Sequence, residues 1–171
     1  LYYEYNVFEE TGVVTSDVNL DQYSKDWCET KNKIMKNKGK TQRIVPMSYY
    51  FNPVPKNLDE GRSISDYSDS LNKVIKVVTD CTNSKVNIIA HSMGGLVARE
   101  YLRKYGESKV NKLIMLGTPN DGTYGFVGAL CTTFHEGPEC NEMKGNGNFI
   151  KGLNQFKPKS VTLVTIAGTS S

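Results

Sequence analysis

The feature that most constrains this chain is Ile88-Ile89-Ala90-His91-Ser92-Met93-Gly94-Gly95, an apolar run that breaks into a serine set among small residues. Lys85 to Ala90 is short and β-branched, as a buried parallel strand should be. Leu96, Val97, Glu100, Tyr101 and Lys104 follow at helical spacing, and Gly106 stands where a helix-ending glycine belongs. A strand that turns at once into a helix brings the two backbones almost into contact, which requires little side-chain bulk two positions to either side of the turning residue. Ala90, Gly94 and Gly95 supply that clearance. Ala90 stands where glycine is usual in G-x-S-x-G, at the expense of one methyl group.

Such a turn is a nucleophile elbow, and it carries chemistry. A serine hydroxyl attacks a carbonyl only when a base takes its proton, and the oxyanion that develops needs fixed donors, of which the N–H following the nucleophile is one. The bland alternative is a serine that merely caps the helix with its side chain.

Elements alternate along the chain. Tyr2 to Val18 reads as two short strands, Asp21 to Lys38 as an amphipathic helix ending at Gly39, and Arg43 to Tyr49 as a strand before the Pro53 and Pro55 loop. Ser63 opens a long helix with Asp66 in a capping-box position, and Ile64, Tyr67, Leu71, Val74, Ile75 and Val78 form its apolar stripe. Val110 to Leu116 and Val161 to Ala167 are further strands. This order predicts a single α/β domain over residues 1–171, with a mostly parallel sheet covered by helices on both faces. Residues 122–147, rich in glycine and apolar side chains, form either a cap over a site or a plain crossover.

Composition removes several classes of function. With 38% hydrophobic and 23% charged residues the chain is an ordinary globular one, without a run long enough to span a membrane. The net charge of +3 lies on scattered lysines, and the cluster at Lys31 to Lys40 lacks the aromatic interleaving of a nucleic-acid surface. The spacing of cysteines and histidines does not match a zinc site, and there is no glycine-rich phosphate loop; chemistry through an acyl-Ser92 intermediate is expected to need neither metal nor coenzyme. Cys28, Cys81, Cys131 and Cys140 allow three pairings, of which the local one joins Cys131 to Cys140 across Gly137-Pro138. A bridge there suits a secreted or lumenal protein, while free thiols suit a cytoplasmic one.

From Asn52 through Gly168 the chain resembles an α/β-hydrolase of the lipase and esterase kind. The matching segments are Val86 to Gly95, Leu116-Gly117-Thr118-Pro119-Asn120-Asp121-Gly122, Glu142-Met143, Asn148-Phe149-Ile150, Leu153-Asn154 and Thr165-Ile166-Ala167-Gly168. The Ala-His-Ser-Met-Gly form is similar to that of small bacterial triacylglycerol lipases, and the order of elements before the elbow is more weakly similar to the lecithin:cholesterol acyltransferase group. The resemblance implies that Ser92 is the nucleophile, that the Met93 N–H is an oxyanion donor, and that lipid or small esters are the substrates, with transient contact at a lipid interface. It leaves acyl transfer to an alcohol and a catalytically inert binding domain as the alternatives.

The departures from the family are informative. The His-Gly dipeptide that usually supplies the second oxyanion donor is missing, and Val14-Thr15-Ser16-Asp17 stands nearest to its place. Family order is Ser, acid, His, with the acid after the strand Val161 to Ala167, so acid and base are expected beyond Ser171 and the fold is expected to be incomplete at its C-terminus. Within the chain, Asp121 is the candidate acid and His135 the candidate base. His91 precedes the nucleophile and points to the other face of its strand.

Overall fold

The computed structural model describes residues 62–124 and 138–168, together with Val45 and Met47. The chain divides into two compact units, Leu1–Lys56 and Asn57–Ser171. The strands and helix expected before Arg43, and the strand expected over Arg43 to Tyr49 apart from Val45 and Met47, lie outside the described residues.

Helix α1 runs from Ile64 to Thr82 and begins where its sequence says it should. Ser63 Oγ accepts the Asp66 N–H at 3.1 Å, and the Asp66 carboxylate accepts the Ser63 N–H at 2.8 Å. These bonds to Ser63 hold the Asp66 carboxyl below its usual range. The helix ends at Asn83, whose left-handed φ of 49° lets its N–H reach the Thr79 carbonyl. Ile64, Tyr67, Val74 and Ile75 of the expected stripe are buried.

Strand β1 (Val86–His91) leads into helix α2 (Met93–Tyr105), then strand β2 (Val110–Leu116), short helix α3 (Pro138–Glu142), helix α4 (Asn148–Gln155) and strand β3 (Thr162–Ile166). The three strands are parallel in the order β1-β2-β3. The register aligns Ile88 with Leu113 and Leu163, and Ala90 with Met115 and Thr165, on one face. Against that face pack Ile75 of α1 and Ala98, Tyr101 and Leu102 of α2, forming one core with Val110 and Val161. The opposite face carries Ile89, His91 and Ile166, with Ile89 69% and Ile166 55% exposed. Among the described residues, helices cover one side of the sheet.

Polar contacts lock the periphery. Lys104 and the Tyr105 hydroxyl both bond the Asp69 carboxylate, pinning α2 to α1. Glu107 accepts the Ser160 hydroxyl and the N–H groups of Ser160 and Lys159, which fixes the entry of β3 and holds its carboxyl below the usual range. Cys81 and Cys140 are both disulfide-bonded. They stand near opposite ends of α1, since Glu142, two residues from Cys140, bonds the Ile64 N–H. A helix of 19 residues is about 28 Å long, so they belong to different bridges. Cys131, the expected partner of Cys140, lies outside the described residues.

That Glu142 bond closes α3 onto the start of α1 at 2.5 Å. Burial pushes the Glu142 carboxyl up, against the bond from Ile64, and the neighbouring Glu100, Asp66 and Glu139 carboxylates push it the same way. The folded chain therefore binds this proton more tightly than the unfolded one. Its contribution to stability is complete below the unfolded value of about 4.3 and is lost as pH rises through the folded value. Glu142→Gln, which cannot ionise, should gain on the wild type as pH rises from about 4 to about 7. Denaturant midpoints across that range check this, and a difference that does not change with pH contradicts it.

Candidate functional site

Ser92 lies between the last residue of β1 and the first of α2, with φ 52° and ψ −130°. Only two described non-glycine residues have positive φ, and the other is the helix-ending Asn83. A serine in this region costs about 1–3 kcal/mol and persists only where its surroundings enforce it. The helix-cap alternative does not account for it: a capping serine is extended and bonds an N–H of the first turn, whereas Ser92 makes no side-chain capping bond and is exposed.

The enforcement is visible. The Ser92 N–H donates to the Leu116 carbonyl at 2.9 Å, and the Gly117 N–H donates to the Ile166 carbonyl at 2.9 Å, so the carboxyl ends of all three strands are joined through these loops. The Gly95 N–H returns to the Ser92 carbonyl at 3.1 Å. A Cβ at Gly95 would lie 2.0 Å from Thr118 Oγ1 and 2.8 Å from Thr118 Cβ. The clearance read from the sequence at Gly95 thus admits the loop after β2. Thr118 Oγ1 is itself buried without a hydrogen-bond partner, a burden of about 1–3 kcal/mol.

Met93 is the first residue of α2, with its side chain buried and its backbone N–H at the positive end of the helix. His91 is exposed on the sheet face opposite Ala90, as the strand alternation requires. Asp121 follows β2 at the same end of the sheet but belongs to a polar cluster that sequence reasoning missed. Arg99 Nη1 donates to the Asn120 carbonyl at 3.2 Å and to Asn120 Oδ1 at 3.1 Å, while Nη2 donates to Asn154 Oδ1 at 2.6 Å. Asn154 Nδ2 in turn donates to Asp121 Oδ1 at 3.3 Å. Burial pulls the Arg99 guanidinium below its usual range, and the Asp121 charge opposes that pull. Arg99, Asn120 and Lys157 also line a cavity floored by Met115, Leu163 and Thr165. His135 lies outside the described residues, as does residues 125–137 of the expected cap; Val14 to Asp17 lie outside them too.

A parallel sheet whose first described strand turns through a strained serine into a helix on the covered face defines an α/β-hydrolase fold. More particularly, the chain belongs to the family of the PGAP1-like alpha/beta domain, whose model matches residues 15–171. Among solved structures it is similar to phospholipase PlaB from Legionella pneumophila, with a TM-score of 0.58 and 17% identity, covering 91% of this chain and 38% of that one. Bacillus licheniformis lipase BlEst2 in mature form also matches, with a TM-score of 0.47 and 17% identity over 56% of this chain and 42% of that one. The chain therefore spans about two fifths of the length of each. No curated protein matches the sequence.

The tightness of the elbow is testable through Gly95. Gly95→Ala should destabilise the fold by at least about 1–3 kcal/mol by overpacking, and Thr118→Gly in the same chain should recover part of the loss. Unfolding free energies of the two single variants and the double variant form the cycle that measures this. Strict additivity would mean that Thr118 is not what the glycine accommodates.

Proposed function

We propose that this chain is a serine carboxylic-ester hydrolase that cleaves acyl esters of lipids through an acyl-Ser92 intermediate. The observation that carries the reading is the strained, exposed Ser92 at the junction of β1 and α2, which is not used as a cap. The family and the fold likeness to a protein named as a phospholipase support lipid esters as the substrate class.

In this reading Ser92 Oγ attacks the ester carbonyl while a histidine takes its proton. The Met93 N–H, at the start of α2, faces the oxyanion and is assisted by the helix dipole. Collapse of the tetrahedral species expels the alcohol, which receives the proton from the histidine. Water then repeats the sequence on the acyl-Ser92 and releases the acid. The base is His135 or a histidine carried outside residues 1–171, and Asp121 is the candidate acid within the chain. Two separate disulfide bridges suit a secreted or lumenal site of action.

The test is labelling by a fluorophosphonate together with turnover of p-nitrophenyl and phospholipid esters by the full-length protein. Ser92→Ala should abolish labelling and lower turnover by at least about 1,000-fold while preserving the fold. A wild type that neither labels nor turns over either ester would make the chain a hydrolase-like binding domain instead. His135→Ala decides the base, since full retention of activity excludes this histidine.

A further inference from the structure

The loop that follows β2 is tied to the elbow segment at three places. Leu116 accepts the Ser92 N–H, Thr118 fills the space that Gly95 leaves open, and Asn120 is held by Arg99 through both its carbonyl and its side chain. Gly95 and Arg99 stand four residues apart on α2 and so share one side of it. Arg99 extends that side away from the serine and reaches Asn154 of α4 as well, with the Asp121 carboxylate one amide further on.

The chemistry of this cluster is unusual for a packing contact. A guanidinium withdrawn from water is offset best by a carboxylate directly against it. Here the groups that Arg99 bonds are the neutral oxygens of Asn120 and Asn154. An apolar side chain of similar volume would serve stability as well or better. What the planar fork supplies, and an apolar side chain does not, is direction: fixed donors that set the loop against the helix.

We propose that Arg99 is a positioning residue for Ser92, holding the loop after β2 against α2 so that the strained serine keeps its reactive orientation. The proposal rests on the ester-hydrolase reading above. Arg99 acts at about two turns from the serine, through Asn120, Thr118 and the Leu116 carbonyl, and it does not meet the substrate.

The experiment compares the full-length wild type with Arg99→Leu, Arg99→Lys and Asn154→Ala, and with Leu71→Ala as a packing variant on α1. Three quantities are read: the fluorophosphonate acylation rate at Ser92, kcat and KM for p-nitrophenyl butyrate, and amide hydrogen exchange at residues 92–95 and 117–122. Arg99→Leu should unfold cooperatively, acylate about 10- to 100-fold more slowly, and lose kcat with KM little changed, the scale expected for a misplaced catalytic group. Arg99→Lys should recover little, because one ammonium cannot reproduce the fork, and Asn154→Ala should show a smaller loss. Exchange in both segments should quicken in the Arg99 variants and stay unchanged in Leu71→Ala.

Acylation at the wild-type rate in folded Arg99→Leu, or an equal loss in Leu71→Ala, overturns the proposal. Should Arg99→Leu fail to fold, Arg99→Lys and Asn154→Ala decide by the same measures. A wild type that does not label at Ser92 sinks the hydrolase reading and the catalytic role with it. The exchange data still report separately whether Arg99 holds the loop.

Discussion

The approach of the β2 loop to the first turn of α2 is the constraint on which the rest of this structure depends. Thr118 can lie against the helix only because Gly95 has no side chain, and Leu116 can accept the Ser92 N–H only because the loop starts there. Remove that approach, and the positive φ of Ser92 loses the surroundings that outweigh its strain. The register of the sheet serves the same end. With Ala90 beside Met115 in the core, the last residues of β1 and β2 finish level, and the turn into α2 begins opposite the turn out of β2.

Charge near the site is handled in two ways. Glu100, fully buried on α2, is met by Arg103 in two bonds of 2.7 Å, so a buried carboxylate has its guanidinium directly against it. Arg99, one residue earlier, is instead bonded to amides, with Asp121 acting on it from beyond Asn154. Neighbouring positions on one helix thus carry a compensated acid and a base held by dipoles. The first arrangement secures burial. The second spends charge on the placement of a loop, which is why the same loop holds both the residue that fills Gly95's space and the aspartate that the sequence offers as an acid.

Much of this was legible in the sequence because it is local. The capping box of Ser63 and Asp66, the bounds of β2 and the elbow itself each rest on residues within a few positions of one another, and the alternation of strands with helices was enough to imply parallel pairing. The α/β-hydrolase resemblance agrees with the family to which the chain belongs. The reason for Gly95 was not legible, since its partner is Thr118, a residue that reads as part of a turn. Nor was the Arg99 cluster, whose partners lie 21 and 55 residues away and are asparagines, neutral side chains without a periodic or charge signature. The available signal was Arg99 three residues from both Leu96 and Leu102, two apolar positions on its own side of the helix. The segment around His135 and the bridge expected between Cys131 and Cys140 fall outside what the described residues report.

The two faces of the sheet complete the logic of the site. The face bearing Ala90, Leu113 and Met115 is covered by α1 and α2, and among the described residues the backbone bonds of Ser92 run along the carboxyl edge of the sheet. The other face presents Ile89 and Ile166 to solvent. A residue whose backbone is fixed from one side can be rigid and accessible at once, because the restraint and the exposed surface lie on different sides, and Ser92 is such a residue. The strained backbone of Ser92 also separates it from an ordinary helix cap: it holds the N-cap position of α2, yet its side chain makes no capping bond there.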